Sequence, residues 1–317
     1  MTISRRNSLG LLVGASLVGC AESATDDISI AMQKIRPLFK PKSPPQPGDW
    51  LTDHQEPGQS YRQFRALVSE PAVKKYSTLR LVPVGPLTEG QAAVFEVTKD
   101  FLKPFFGLEL AVDTPARIED IPNDAQRYVF MGESIPVDAP HPELGELPQL
   151  LTSYLLNSVL IARRQERDAA VLGITAHDLW PGPGWNFVFG QASLTQRVGV
   201  WSMARNGDPD ESPRMRTLCA IRTAMTATHE TGHMFGIRHC IAYQCGMNGS
   251  NHSDERDRQP LEFCPECQAK LWWTCRLDPL ARSRALEMVA RKHAFERVAA
   301  DLAKQSNALG SAWSRFS

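Results

Sequence analysis

The sequence lacks an excess of either charge, and this absence argues against one class of partner. Its 317 residues contain 35 Lys and Arg against 35 Asp and Glu, so the formal net charge at pH 7 is zero. Proteins that bind nucleic acid or an anionic membrane surface usually carry a basic excess or a basic stripe. The composition therefore predicts that nucleic acid is not a partner.

The sequence also lacks a long apolar run. A helix that spans a bilayer needs about 20 consecutive, predominantly apolar residues. The apolar stretch at residues 9–19 is too short, and no other segment is long and apolar enough. The sequence therefore predicts no transmembrane helix in the folded part of the chain.

Cysteine is scarce over most of the chain and concentrated in one region. Four cysteines fall within residues 240–267, directly after a His-rich segment. Such clustering indicates metal ligation rather than a disulfide framework distributed over the fold. The seven cysteines are Cys20, Cys219, Cys240, Cys245, Cys264, Cys267 and Cys275.

The N-terminus has the pattern of an export signal. Arg5 and Arg6 precede the short apolar stretch, and a charged start followed by such a stretch is typical of these signals. The stretch ends in Leu17-Val18-Gly19-Cys20, which resembles the lipobox of bacterial lipoproteins. The sequence thus predicts export and lipid anchoring of Cys20 in a bacterial envelope. A disordered tail on a cytoplasmic protein is the alternative.

Composition divides the chain into four parts. Residues 1–20 form the predicted export signal with its lipobox. Residues 21–76 are poor in periodicity and rich in Pro around residues 44–48, which predicts a linker and an extended surface arm. Residues 77–305 are predicted to form the folded domain, and residues 306–317 a C-terminal tail. The composition leaves open whether the arm covers a functional site.

Short β-rich runs alternate with amphipathic helices in the predicted domain. Strands mixed with long helices indicate an α/β (α+β) domain. The pattern predicts strands at residues 78–84, 127–131, 169–175, 185–189 and 198–203, and helices at 89–106, 148–164, 214–233 and 280–304.

The sequence HETGHMFGIRH, which begins at His229, carries the strongest functional pattern. His229 and His233 are four residues apart and therefore share one face of the predicted helix. Glu230 lies on the adjoining flank, within reach of a metal-bound water. Gly236 permits the turn that lets His239 complete a three-His set. Three protein ligands leave a fourth position for water, which is typical of catalytic zinc rather than structural zinc.

This arrangement predicts hydrolysis with Glu230 as general base. Zinc lowers the pKa of a bound water to about 7, and a positioned carboxylate takes its proton. HExxH alone occurs by chance on ordinary helices, but the added Gly and third His at the required offsets favour catalysis. A catalytically silent zinc-binding protein that uses its cleft for partner binding is the alternative, and the presence of Glu230 argues against it.

A second metal site is predicted at Cys240, Cys245, Cys264 and Cys267. Four thiolates make a closed, tetrahedral, structural zinc site. Cys240 directly follows His239, so this zinc should stiffen the loop that aims His239. Two disulfides are the alternative, favoured if the chain folds in an oxidising compartment. The sequence therefore predicts two zinc ions, one catalytic and one structural.

Other His and Cys residues have mainly structural interpretations. His177 and His252 are candidates for substrate contacts, but a lone His is more often structural or on the surface. Cys219, on the predicted helix at residues 214–233, is predicted to be a small buried hydrophobe.

The three-His motif joined to four cysteines resembles the archaemetzincin family, within the metzincin clan of zinc metallopeptidases. In that pattern Met247 takes the place of the methionine turn. Residues 172–179 and 187–192 resemble the family's strands before the active-site helix, and Asp49-Trp50-Leu51 resembles the longer members. The resemblance covers most of residues 40–275.

The resemblance implies a fold and a mode of substrate binding. It implies a twisted mixed sheet with packed helices, an active-site helix, a cleft across the zinc, and Met247 beneath the metal. It implies a peptide or protein substrate whose backbone pairs with an edge strand, for which residues 185–192 are the candidate. A core strand is the alternative interpretation of that run. Some members are described as aminopeptidase-like, so the resemblance also implies that activity.

Overall fold

The strands of the protein form two sheets in the part of the chain that the computed structural model describes, residues 18–130, 133–138, 147–193 and 195–311. The strands are β1 (Thr78–Val84), β2 (Glu109–Val112), β3 (Gln126–Phe130), β4 (Glu133–Pro136), β5 (Gln149–Leu151), β6 (Asp168–Thr175), β7 (Leu179–Trp180), β8 (Gly190–Ser193) and β9 (Val198–Ser202). The helices are α1 (Val18–Ile35), α2 (Trp50–Asp53), α3 (Tyr61–Leu67), α4 (Glu89–Phe106), α5 (Thr152–Tyr154), α6 (Pro213–Met234), α7 (Ser253–Asp257), α8 (Pro265–Thr274), α9 (Pro279–Lys292) and α10 (Glu296–Gly310).

The larger sheet has the order β2-β1-β6-β9-β8. The first four strands are parallel, and β8 joins β9 antiparallel at the edge. Helices α4 and α6 cover one face, where Leu81 and Leu172 are buried. The helical turns that follow α5 cover the other, where Val82 and Val171 are buried. Burial on both faces accounts for the apolar run of β6, and the predicted α/β class with packed helices is confirmed.

The smaller sheet has the order β4-β3-β5-β7 and corrects one predicted helix. Residues 148–164 are predicted as a helix throughout, but Gln149–Leu151 form β5, and helical structure begins only at Thr152. The buried Leu150 donates its amide to Asp178 O and pairs with Leu179 of β7. Pairing with strands distant in sequence thus overrides the local helical spacing.

Helix α6 forms the platform of the predicted site and ends where the sequence predicts. Ser212 caps it by accepting a hydrogen bond from the amide of Met215, and Pro213 occupies its first turn. Past its end, Gly236 has a φ of +82°, a conformation that strongly favours glycine. The Gly236 amide donates to His233 O at 2.8 Å and so closes the last turn.

Helix α1 contradicts the prediction that residues 21–76 form only a linker and an extended arm. It packs against α8 and α10 through Ile28, Ala31 and Ile35, which are all buried. Their spacing places them on one helical face. The prolines that suggested a linker all lie after residue 36. Averaging the composition over residues 21–76 therefore gave no indication of the helix that precedes them.

The stretch from residue 39 to residue 60, here called the arm, lies on the surface as predicted but is held in place. Pro41 forms a β-bridge with Tyr243, and the amide of Gln244 donates to Lys40 O at 2.9 Å. Beyond it, Glu266 accepts a hydrogen bond from the Tyr61 amide at 2.7 Å. The arm is therefore part of the folded structure.

The predicted single helix at residues 280–304 is wrong. The chain forms α9 and α10 with a break at Ala294, whose φ is +55°. Phe295 is buried after the break and stacks on Phe101, with ring centroids 5.2 Å apart. No Gly or Pro marks the break, which is why composition concealed it. Helix α10 also continues to Gly310, past the predicted start of the tail.

The predicted export signal falls largely on residues 1–17, which lie outside the described residues, while Cys20 falls within α1. Across the described ranges, none of the helices combines the length and the hydropathy that crossing a bilayer requires.

Two isoleucines on α1 test whether this helix contributes to the fold. Ile35 is fully buried, whereas Ile30 is 49% exposed. Ile35→Ala should lower the free energy of unfolding by about 2–5 kcal/mol because it leaves a cavity between α1 and α8. The matched control Ile30→Ala should change it by less than about 0.5 kcal/mol. Urea unfolding would measure both, and equal effects would contradict the packing of α1.

Candidate active site

The two histidines on α6 are held by backbone carbonyls. His229 Nδ1 lies 2.8 Å from Gly246 O, and His233 Nδ1 lies 2.7 Å from Ile237 O. A carbonyl oxygen can only accept, so each Nδ1 carries the hydrogen and donates. In a neutral imidazole, Nε2 is then left with a lone pair.

These two Nε2 atoms lie 3.0 Å apart. Two lone pairs at this distance repel each other unless a cation lies between them. Zinc binds imidazole nitrogen at about 2.0–2.1 Å, and tetrahedral geometry then places two such nitrogens about 3.3 Å apart. Each of His229, His233 and His239 offers one nitrogen, and the three lie within 4.8 Å of one another. The three predicted ligands are therefore brought together, and their donor set fits one zinc ion.

The third histidine is oriented by a carboxylate from the arm. His239 Nδ1 donates to Glu56 Oε1 at 2.7 Å, across 183 residues of sequence. Trp50 packs edge-on against the His239 ring, with centroids 5.2 Å apart. A carboxylate on the second ring nitrogen is the arrangement that fixes metal-binding histidines in many proteins. Glu56 could not be identified from the sequence, because no local pattern connects the arm to the motif.

A second group of polar residues fastens the arm beside the site. Glu255 accepts a hydrogen bond from the Trp50 amide at 2.9 Å, and Asp49 accepts one from Arg258. His252 Nε2 lies 3.3 Å from Asp49. By residue type Asp49, His252 and Glu255 could hold a metal. Their carboxylates are already engaged, so the group acts as a latch for the arm.

Burial keeps the histidines of α6 neutral. It lowers the pKa of His229 to about 3, and the nearby charge of His239 acts in the same direction. Burial and the charge of His229 likewise hold the pKa of His233 well below its usual value. Neutral imidazole is the form that binds a metal.

Glu230 lies on the wall of the cleft next to β8. Burial raises the pKa of its carboxyl group to about 8. Across the residues that the structure describes, no donor lies within hydrogen-bond distance of this carboxylate. A Cβ added to Gly190 would lie 3.0 Å from Glu230 Oε1, so only glycine fits beside it without displacement. The carboxyl group is thus positioned by packing, and a cation bound nearby would favour its ionised form, which can accept a proton.

The three histidines and Glu230 line a cavity of about 500 Å³, which is within the range of small-molecule and peptide sites. Residues 187–192 form one side, and residues 248–251 and Trp50 contribute to another. Strand β8 covers only part of the run at residues 185–192 that was predicted as an edge strand. Residues before Gly190 contribute one bridge, between Val188 and Leu179, rather than a strand.

Met247, which the resemblance places beneath the metal, packs against the helix that carries His229 and His233. It is fully buried, and a Cβ added to Gly232 would lie 2.7 Å from Met247 Sδ. Gly232 stands next to His233 on α6, so Met247 supports the backbone of that ligand. The amide of Cys240 also donates to Met247 O at 2.7 Å.

The four predicted cysteine ligands converge in a second cluster. Cys240, Cys245, Cys264 and Cys267 are buried, and their sulfurs lie within 4.8 Å of one another. Cys240 Sγ and Cys264 Sγ are 3.6 Å apart, far from the disulfide length of about 2.05 Å. Four thiolates around zinc, each about 2.3 Å from it, lie about 3.8 Å from one another. The cluster fits a metal and gives no support to the alternative of two disulfides.

Lys270 connects this cluster to the arm. It is fully buried, its Nζ donates to Gln59 O, and it lies 3.9 Å from Cys267 Sγ. A buried ammonium group beside the cluster offsets part of the negative charge that four thiolates would bring. The two predicted metal sites therefore share the arm as well as the junction between His239 and Cys240.

The remaining candidates have structural positions. His177 is buried and hydrogen-bonded to Pro148 O, and His252 caps α7. Neither lines the cavity. Cys219 is fully buried, and burial raises the pKa of its thiol to about 11, as expected for an inert core residue.

Comparison with known proteins places the chain in a family. Residues 163–272 match the family model described as Peptidase family M54. The chain is 32% identical over 291 residues to Archaemetzincin-2 of Homo sapiens. This match covers 81% of the chain and 76% of the human protein. It is 44% identical over 97 residues to Archaemetzincin of Methanopyrus kandleri, which covers 31% of this chain and 52% of that protein.

A crystal structure of the Methanopyrus kandleri archaemetzincin aligns with a TM-score of 0.47 at 27% identity, over 64% of this chain and 97% of that chain. The extent of the match to the human protein decides the assignment. This chain belongs to the archaemetzincin family, peptidase family M54, and is a zinc metallopeptidase.

Proposed function

We propose that the protein hydrolyses peptide bonds with a catalytic zinc ion held by His229, His233 and His239, and with Glu230 as general base. One observation carries this proposal. Three imidazoles, each with its Nδ1 facing an acceptor, direct their other nitrogens to one point beside a carboxylate without a donor. When bound there, zinc would lower the pKa of a water to about 7 and polarise the scissile carbonyl.

The chain's own residues prepare this chemistry by fixing the ligands. Gly246 O, Ile237 O and Glu56 hold the rings through their Nδ1 atoms, so no imidazole has to reorient when the metal binds. Ligands fixed by hydrogen bonds to their second ring nitrogen bind metal more tightly than mobile ones. The carboxylate of Glu56 also makes His239 a more electron-rich ligand.

Glu230 would accept a proton from water in the cavity and deliver it to the leaving amine. A general base works best when its pKa lies near the working pH. Burial alone raises the pKa of Glu230 to about 8, and a zinc cation in the same cavity would lower it towards the working pH and so favour the ionised carboxylate. An exposed glutamate, with a pKa near 4.3, would be a far weaker base.

The edge strand β8 supports a peptide substrate. It pairs with β9 on one side only and ends the larger sheet. An extended peptide could add to this edge through backbone hydrogen bonds. Gly190 is the first residue of β8, and because glycine has no side chain, Glu230 fits beside it. A bound backbone would therefore pass next to the proposed base.

We propose a structural zinc ion at Cys240, Cys245, Cys264 and Cys267. The amide of Cys264 lies 3.1 Å from Cys245 Sγ, and backbone amides of this kind stabilise thiolates. The site is buried and offers four sulfur ligands, which suits structural zinc rather than catalytic zinc.

Two further predictions rest on the sequence alone. Export with lipidation of Cys20 rests on the N-terminal pattern, and aminopeptidase-like activity rests on the resemblance to the family. Both stay predictions.

The role of Glu230 has a direct test. Glu230→Ala should retain both zinc ions, because it removes no ligand, and should lower kcat/KM on peptides by about 10²–10⁴-fold. The exposed Glu166 gives a matched control, and Glu166→Ala should leave activity unchanged. Metal analysis and peptide-library cleavage measure the two properties. Full activity in Glu230→Ala would rule out Glu230 as the base.

The role of Glu56 is tested by zinc affinity rather than by activity. Glu56→Gln keeps the size of the side chain but removes the charge that polarises His239. It should weaken zinc binding at the three-His site about 10–100-fold. The exposed, ion-paired Glu70 is the control, and Glu70→Gln should bind zinc normally. Competition with a chelator measures the affinity, and unchanged affinity in Glu56→Gln would contradict the role.

One experiment tests both the number of zinc ions and the proposed dependence of the three-His site on the cysteine cluster. Native mass spectrometry of the intact protein should find two zinc ions. Cys264→Ser should lose one ion and also weaken zinc binding at the three-His site, because the loop from His239 to Cys240 loosens. Cys275→Ser changes a buried thiol outside the cluster and should keep both ions. Normal catalytic zinc affinity in Cys264→Ser would argue against the link.

A further inference from the structure

Arg256 lines the same cavity as the metal ligands and is 4% exposed. It lies on α7, and its Nη1 donates to Asn206 Oδ1 at 2.8 Å. Its Nε and Nη2 are buried, and none of the described residues offers them a hydrogen-bond acceptor. Burying charged donors without acceptors is costly, so such an arrangement calls for an explanation.

The charge of Arg256 is only partly offset by its neighbours in the described structure. The carboxylate of Asp257 lies 3.8 Å from Nε, but Asp257 already accepts two hydrogen bonds from Arg222. Two guanidinium groups therefore share one carboxylate. Glu230 makes no hydrogen bond to Arg256, although both line the cavity. Burial lowers the pKa of Arg256 to about 10, so the side chain stays charged at neutral pH.

The two partnerless nitrogens lie on one edge of the guanidinium plane, the edge that can bind both oxygens of a carboxylate. Elsewhere in this chain the same edge is used in this way. Three pairs that bind both carboxylate oxygens through Nε and Nη2 are Arg80 with Asp168, Arg205 with Asp178, and Arg222 with Asp257.

The surroundings of Arg256 connect this edge to the reaction site. Its guanidinium lies over the ring of Phe189, with Cζ 4.2 Å from the ring centroid, which fixes the plane. Phe189 directly precedes Gly190, where β8 begins. Met225 and Thr226 line the cavity from α6, within one turn of His229. Arg256 thus packs on the residue that precedes β8 and lines the same cavity as the three histidines.

We propose that Arg256 forms a subsite for a carboxylate of the peptide substrate and makes the enzyme prefer substrates that carry this group beside the scissile bond. The proposal rests on the proposed peptidase function of the same cleft. The carboxylate has two sources, an acidic side chain or the C-terminus of a short substrate. In either case the bound carboxylate would supply the acceptors that Nε and Nη2 lack.

The experiment uses the zinc-loaded full chain and matched peptides built on a cleaved library sequence. The peptides carry Glu or Gln at each position flanking the cleaved bond, and each has either a free C-terminal carboxylate or an amide. Preference for Glu over Gln, by about tenfold or more in kcat/KM, would assign the subsite to a side chain. The same preference for acid over amide would assign it to the C-terminus. Equal rates for all peptides would overturn the proposal.

Variants separate recognition from structure. Arg256→Gln should reduce the preference to about one, and Arg256→Lys should retain part of it because the charge remains. The control is Arg205→Gln, since Arg205 lies over Phe187 in a similar way but already has Asp178 as its partner. This variant should keep the preference of the wild-type protein. A preference that survives in a folded Arg256→Gln, as judged by its melting temperature and zinc content, would overturn the proposal.

Measuring peptide binding tests the subsite independently of peptide hydrolysis. Calorimetry with Glu230→Ala measures the affinity for the same peptides without hydrolysis. Tighter binding of the acidic peptides, lost in the double variant Glu230→Ala, Arg256→Gln, supports the subsite even if wild-type protein cleaves nothing. In that case only the proposed function would fail. Equal binding of acidic and neutral peptides to Glu230→Ala would overturn the subsite whether or not the wild-type protein cleaves them. This comparison does not need the Arg256→Gln variant, so it decides the proposal even if that variant does not fold.

Discussion

The hydrogen bonds that three imidazole Nδ1 atoms donate are the constraint on which the site depends. They leave the lone pairs of the other ring nitrogens facing one another. The Nε2 atoms of His229 and His233 are only 3.0 Å apart. Such an arrangement is unfavourable until a cation occupies the point between them. The acceptors come from three places: Gly246 before Met247, Ile237 after the helix, and Glu56 in the arm. The metal site is therefore a product of the whole fold around α6.

The arm and the cysteine cluster together determine where the third histidine lies. Glu56 holds the ring of His239, and the peptide bond to Cys240 fixes its backbone to the predicted structural zinc site. The arm in turn is fastened through Glu255, which holds Trp50, and through Lys270 beside the cluster. A segment that composition suggested was a linker thus contributes Trp50 to the wall of the cleft and Glu56 to the orientation of His239.

The cleft contains two buried ionisable side chains whose hydrogen-bonding capacity the described structure leaves partly or wholly unused. Glu230 has no donor within the described structure, and Arg256 has two buried nitrogens without acceptors. Both features cost stability, and proteins retain such costs mainly at functional sites. They lie beside β8, the one element of the larger sheet that pairs antiparallel. A substrate that added to this edge would meet both groups.

The sequence by itself determined the parts of the site that lie close together along the chain. The bounds of α4 at residues 89–106 and of β1 at 78–84 followed from periodicity, and a spacing of four on α6 placed two histidines on one face. Regular backbone geometry fixes such distances locally. Tertiary structure decided the roles of Glu56 and Arg256, the strand at residues 149–151 that replaced the start of a predicted helix, and the break at Ala294. Contacts across 183 residues, or a helix interrupted so that Phe295 can be buried, depend on packing that no local spacing encodes.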